Sequence, residues 1–232
     1  MLVWERMTRN PYTVTADIAV PDALRRMHKL QVRRFPVVDA MGQLIGIVAE
    51  RDLLYASPSP ATTLSVHEIQ SLLAKLSVAK IMQRDVITVT GDTPVEDAAR
   101  IMADQKIGGL PVVRNGALIG IITESDLFKL FQELLGARRQ GIRVTLLVSD
   151  TRGELAKLTA AITRTGGDIL ALGTFLGEDP TNALVTLKVA GVSRDTLTHI
   201  LRPLALELID VREGGPGFQV EDLGNQRLAL VA

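Results

Sequence analysis

The chain has 232 residues, 47% hydrophobic and 22% charged, the balance of a soluble globular protein sized for one large domain or two small ones. Lys plus Arg equals Asp plus Glu at 26 each, so no global field draws in nucleic acid or an anionic membrane. The absence of cysteine excludes disulfides, Cys-based zinc sites, iron–sulfur clusters and thiol nucleophiles, and fits a reducing compartment.

The segment Met1 to Met7 carries charge where a signal peptide needs an apolar stretch. No run approaches about 18 apolar residues. The expectation is a cytoplasmic protein with no membrane partner.

In chain order, Thr13-Val14-Thr15 predicts a short strand. Val20, Ala23, Leu24, Met27 and Leu30 recur at helical spacing on one apolar face. Phe35-Pro36-Val37-Val38 is β-rich, Met41-Gly42 supplies a hairpin turn, and Leu44 to Val48 reads as a strand covered on both faces. A helix follows at Glu50-Arg51-Asp52, with acidic residues in its first turn. Ser57 to Ala61 is a loop, and Ser65 with Glu68 has capping-box spacing for a helix through about Lys75.

About 75 residues on, the same order returns. Thr88-Val89-Thr90, Asp92, Val95, Asp97-Ala98, Arg100, Met102 and Pro111-Val112-Val113 repeat Thr13-Val14-Thr15, Asp17, Val20, Asp22-Ala23, Arg25, Met27 and Pro36-Val37-Val38. Gly42 to Leu53 (GQLIGIVAERDL) returns as Gly116 to Leu127 (GALIGIITESDL). Such a unit leaves an apolar face open, so the copies should pack together.

This doubled pattern resembles a CBS pair, or Bateman module, with a first CBS motif over 1–60 and a second over 61–135 that includes the linker helix 65–75. The resemblance implies a nucleotide between the copies. In the second copy, Thr123 would bond a phosphate, Asp126 the ribose hydroxyls, and backbone and apolar contacts around Ile122 the adenine. A helix N-terminus suits phosphate. Thr123 and Asp126, three residues apart, equally fit a helix cap with no ligand. The first copy keeps Asp52 but has Ala49 in place of the hydroxyl, with Arg51 as a compensating charge, so its pocket is expected to be weaker or vacant.

In such modules each pocket borrows the lead-in segment of the other copy. The Asp126 pocket would then use Asn10-Pro11-Tyr12, with Arg33 and Arg34 near the phosphates. The Asp52 pocket would use Asp85-Val86-Ile87 facing Gly108 and Gly109. If the arginines are not simply a solvated surface pair, they favour AMP, ADP or ATP over the sulfonium S-adenosylmethionine.

Gly136 to Gly141 marks a boundary. Beyond it, Arg143 to Val148 reads as a strand, and Leu155, Leu158, Thr159 and Ile162 as a helix stopped by Gly166-Gly167. Ile169 to Phe175 and Ala183 to Val189 form a hairpin, Ser193 caps a helix through about Leu204, and Glu207 to Arg212 closes the sheet. This βαββαβ order predicts a ferredoxin-like antiparallel sheet with both helices on one face, within a mixed α/β (α+β) chain. Asp150 to Leu155 and Gly166-Gly167-Asp168-Ile169 resemble the signature turn and second-strand start of ACT domains, over 142–214. That resemblance implies side-by-side dimerisation and an amino acid beside Gly153 and Asp168; a tight turn and a turn carboxylate explain the same residues. The tail, 215–232, lies outside both resemblances.

His28, His67 and His199 are dispersed, and no nucleophile stands beside a base. The sequence therefore points to a non-enzymatic, homodimeric sensor of a small-molecule effector that acts on a regulated enzyme, without cofactor or metal. The alternatives are a dimeric scaffold with vestigial pockets or an S-adenosylmethionine sensor. The order CBS–CBS–ACT is similar to that of bacterial acetoin-utilisation accessory proteins.

Overall fold

The structure, a computed structural model, describes residues 1–56 and 75–215. The predicted loop at Ser57, the Ser65–Glu68 capping box, His67 and the apolar end of the tail lie outside them. The chain divides into two compact units, Met1–Leu127 and Phe128–Ala232.

The first unit opens with α1 (Val3–Arg6) and β1 (Thr8–Arg9), then α2 (Val20–Leu30), β2 (Arg34–Val38), β3 (Leu44–Ala49) and α3 (Glu50–Tyr55). The second copy supplies α4 (Val95–Gln105), β4 (Gly109–Arg114), β5 (Ala117–Thr123) and the start of α5 (Glu124–Leu134). Strands β2 and β3 pair antiparallel with Phe35 opposite Val48 and a shift between Val37 and Val38. Strands β4 and β5 repeat this, with Leu110 opposite Ile122 and a shift between Val112 and Val113. Val20, Ala23 and Met27 of α2 are buried together with Phe35, Val37, Val48 and Leu53. Strand β3 is not covered on both faces as its apolar run suggested: Gly46 and Val48 are buried, while Ile45 and Ile47 are half-buried.

The predicted strands at Thr13 and Thr88 shrink to single parallel bridges, Val14 to Val37 and Val89 to Val112. Val14 N donates to Pro36 O at 3.2 Å, and Val38 N donates to Val14 O at 3.0 Å. Extending this ladder backward needs an N–H from residue 36, which proline lacks. Pro111 ends the second ladder in the same way, so Tyr12 and Ile87 are free to lie elsewhere.

The lead-in segments are exchanged. β1 pairs with β5 of the second copy, Thr8 opposite Ile121, while Gln83 pairs with Ile47 of the first. Val3 N donates to Thr93 O and Trp4 N to Gly91 O, both at 2.9 Å; Val78 N donates to Ile18 O at 2.9 Å and Ala79 N to Ala16 O at 2.8 Å. Val3 and Val78 are both fully buried. Gly46 makes room for this crossing, since a Cβ there would sit 2.7 Å from Met82 Sδ. Gly120 does the same for Met7.

The second unit contains β6 (Gly141–Ser149), α6 (Glu154–Arg164), β7 (Asp168–Leu176), β8 (Asn182–Ala190), α7 (Arg194–Leu201) and β9 (Glu207–Gly214). Its strands run antiparallel in the order β7-β8-β6-β9. Leu158 and Ile162 of α6 and Leu197 and Leu201 of α7 share one core with Val144, Leu146, Val185 and Leu187. Both helices therefore cover the same sheet face. Ser193 Oγ caps α7 by accepting from Thr196 N at 3.1 Å, and a 3₁₀ turn, Arg202–Leu204, follows where Pro203 interrupts the α-helix.

The segment predicted as a boundary, Gly136 to Gly141, is bonded to this unit. Lys188 Nζ donates to Gly136 O at 2.9 Å, and Arg139 Nη1 donates to Leu170 O at 2.9 Å. Lys188 is 5% exposed. Burial lowers its ammonium pKa from the usual value, and Arg143 adds to the shift.

Candidate ligand-binding cleft

The repeat symmetry brings the strand ends, helix starts and lead-ins of the first unit together. A cleft of about 490 Å³ lies there, within the range of small-molecule sites. From the first copy it takes Arg33, Arg34, Ile47, Ala49, Glu50, Arg51 and Asp52. Gln83, Asp85, Val86 and Ile87 form another wall, and Lys106, Ile107, Gly108, Gly109 and Glu124 close it. Ile47, Val86, Ile87 and Ile107 offer an apolar surface, while the charged groups divide evenly into cations and carboxylates.

Arg34 reaches across to the second copy, where Nη2 lies 3.9 Å from Glu124 Oε2. It lies over Gly108, where any side chain would collide with the guanidinium. Burial lowers the Arg34 pKa from its usual value; Glu124 opposes this, whereas Arg33 and Arg51 add to it. Arg33 Nη2 donates to Ser125 Oγ at 3.5 Å. Both arginines thus lie beside the first turn of α5 and also line the cleft with Asp52. Among the described residues, Arg51 and Lys106 make no ion pair.

The two aspartates differ. Asp126 Oδ2 accepts from Thr123 N at 3.0 Å and from Thr123 Oγ1 at 2.8 Å, so these two groups satisfy each other as in a helix cap. With Ala49 in the hydroxyl's place, Asp52 Oδ2 accepts from Ala49 N at 2.8 Å and, among the described residues, has no hydroxyl bond. Asp52 is exposed and lines the cleft, whereas Asp126 is half-buried and does not. The Ile122 side chain is fully buried in the core. Asn10 lines a separate, open hollow of about 870 Å³ beside Trp4 and Arg9, and Tyr12 is exposed. Of the expected site residues, the structure therefore assembles Arg33, Arg34, Arg51, Asp52 and Ile87 around one cleft. Thr123, Asp126, Ile122, Tyr12 and Asn10 do not line it.

Sequence reasoning missed Lys106, Ile107 and Glu124. The left-handed backbone of Lys106, with φ of 55°, follows the end of α4 and turns the chain into the cleft. Only the exchange of lead-ins reveals which helix end faces which.

In the second unit, Gly153 has φ of 92° and lines a hollow of about 940 Å³ with Thr151, Leu155 and Phe175. Asp168 does not line it. It pairs with Ala190 at the start of β7, whereas Ser149, just ahead of the Gly153 turn, pairs with Asn182 at the far end of the sheet. One chain does not bring Gly153 and Asp168 together.

Among the described residues, no cluster of His, Asp or Glu could hold a metal ion, and no helix is long and apolar enough to cross a membrane.

The family model for the CBS domain matches residues 3–59 and 78–133. A CBS domain-containing protein of Dictyostelium discoideum is 35% identical over 136 residues, covering 58% of this chain and 94% of that protein. A crystal structure from Vibrio cholerae named for acetoin utilization (AcuB) is 36% identical with a TM-score of 0.50, covering 59% of this chain and 93% of that one. An inosine-5'-monophosphate dehydrogenase of Nitrosopumilus maritimus is 25% identical over 184 residues; the match covers 78% of this chain but only 35% of that enzyme. The duplicated fold, the exchanged lead-ins and these matches agree: the chain belongs to the CBS-domain family.

Proposed function

We propose that this protein is a non-enzymatic regulatory sensor that binds an adenine nucleotide in the cleft beside Asp52. The observation that carries the reading is the convergence of Asp52, apolar Val86 and Ile87, and the three arginines 33, 34 and 51 on one 490 Å³ cavity. A carboxylate with open acceptor capacity suits vicinal ribose hydroxyls, the apolar wall suits a purine face, and guanidinium groups suit phosphate. The arginines favour a phosphate ester over a sulfonium. The Asp126 side, whose Thr123–Asp126 pair is already closed on itself, is the secondary site.

The βαββαβ order and the β7-β8-β6-β9 sheet support reading the second unit as an ACT domain. In this reading it pairs with a second copy, which would bring Asp168 of one chain toward the Gly153 turn of the other, the place for an amino acid effector. The nucleotide signal would then pass to a regulated enzyme.

Differential scanning fluorimetry with adenosine, AMP, ADP, ATP and S-adenosylmethionine tests the first claim. A ligand at about 100 times its Kd stabilises the fold by about 2.7 kcal/mol, enough to move the melting temperature by several degrees. A shift with the phosphorylated compounds, lost in Asp52→Ala, is the expected result. Flat traces for all of them leave the dimeric scaffold as the function.

A further inference from the structure

The position equivalent to Glu124 in the first copy is Glu50, and their surroundings differ. Glu50 Oε1 is held at 2.8 Å by His28 Nε2. The position matching His28 in the second copy is Ala103, which has no group to hold a carboxylate. Glu124 faces Arg34 instead, at 3.9 Å, beyond a close hydrogen-bonded pair. Its side chain is 54% exposed, while that of Arg34 is 25% exposed. The guanidinium is therefore the fixed partner, and the carboxylate can swing into water at little cost.

We propose that Glu124 occupies the phosphate position of the cleft and competes with the ligand's phosphate for Arg34. This rests on the cleft being a nucleotide site. A phosphate arriving at Arg34 exchanges for the carboxylate and meets its repulsion, so Glu124 sets a threshold. A neutral nucleoside gains nothing from Arg34, a monophosphate gains little against the resident carboxylate, and a diphosphate or triphosphate outcompetes it. Gly108 is needed for the exchange, because a side chain there would take the space in which guanidinium and anion meet. Release of Glu124 also removes the ion pair between the first turn of α5 and the first copy, leaving the Arg33–Ser125 bond as the contact described there.

The test is isothermal titration calorimetry on the full chain with adenosine, AMP, ADP, ATP and inorganic tripolyphosphate, comparing wild type, Glu124→Gln, Arg34→Ala and the double variant. Glu124→Gln is expected to tighten ADP, ATP and tripolyphosphate by about three- to tenfold and leave adenosine unchanged. In the Arg34→Ala background the same substitution should give less than a twofold gain. Far-UV circular dichroism and urea midpoints confirm that each variant is folded. If ADP binds wild type and Glu124→Gln equally, or binds the variant more weakly, the competition is overturned while the cleft reading stands. If tripolyphosphate responds to Glu124→Gln but no nucleoside compound binds, the phosphate position stands and the adenine assignment falls. No binding of any probe to folded wild type removes both.

Discussion

The two copies of the repeat match almost bond for bond in their backbones but differ in what they present to a ligand. Val14 bonds Pro36 and Val38 as Val89 bonds Pro111 and Val113. Gln31 and Lys106 both turn left-handed after their helices, with φ of 53° and 55°. Yet Arg33 and Arg34 stand where the second copy has Gly108 and Gly109, and Ala49 stands where it has Thr123. Duplication preserved what makes a core and left the cleft-facing positions to diverge. The copy that looks degraded by its missing hydroxyl is the one whose aspartate remains open, because a hydroxyl at position 123 ties up its own aspartate.

The most drastic way to probe that equivalence is through the cores. Phe35 and Leu110 occupy matching, fully buried positions. Phe35→Ala should cost about 3–5 kcal/mol and Leu110→Ala about 2–5 kcal/mol in urea denaturation. A cost below about 1 kcal/mol for either would show that the two copies do not share one kind of core.

The difference between the aspartates sharpens the comparison further. Asp52→Asn should weaken ADP binding at least about tenfold, the scale of a lost hydrogen bond to a charged group, at a smaller stability cost than Asp126→Asn because Asp52 accepts one cap bond where Asp126 accepts two. Asp126→Asn should do the reverse, leaving ADP affinity within about threefold and costing about 1 kcal/mol through the weakened cap. Calorimetry and urea midpoints on both variants decide the matter, and the opposite pattern would move the site to Asp126.

The smallest effect should be equal in both copies. Asp17 and Asp92 have pKa values lowered by hydrogen bonds from Thr15 and Thr90 and from their own backbones. A depressed carboxylate pKa contributes stability that is present above the unfolded value, about 3.9, and is lost as pH falls through the folded value. Thr15→Val and Thr90→Val should each lower the urea midpoint slightly at pH 6, with the deficit vanishing near pH 2. A deficit that grows on acidification would mean that the hydroxyls act through something other than these carboxylates.

Most of the elements were legible because they rest on local signals: the Val20–Met27 stripe, the Pro-Val-Val strands, the Ser193 cap and the Gly166 stop. The exchange of lead-ins was implied by the family resemblance through Asn10-Pro11-Tyr12 and Asp85-Val86-Ile87, and the last three do line the cleft with Asp52. The residues that anchor the exchange were not legible. Val3, Met7 and Arg9 recur as Val78, Met82 and Arg84, but each set packs on the other copy, so neither has a periodic partner nearby in the chain. The cleft was legible in its residue types but not in its side. The resemblance put Arg33 and Arg34 in the Asp126 pocket, whereas both line the cleft with Asp52, because Arg34 extends over the bare backbone of Gly108. The boundary at Gly136 to Gly141 was legible because glycine and arginine mark turns; the bond from Lys188, distant in sequence, that holds it to the second unit was not.

The exchange of lead-ins also governs how this unit can be taken apart. A cut near residue 60, where the sequence repeat suggests a border, would send Val3 and Met7 away with the wrong half and strip Val78 and Met82 from the half that needs them. Each half would then carry an uncovered seam, so neither should hold its shape alone, and the pair should melt in a single step. Because residues 8 and 121 must meet before either half is complete, assembly waits on a long loop closure and should be slow for a chain of this size.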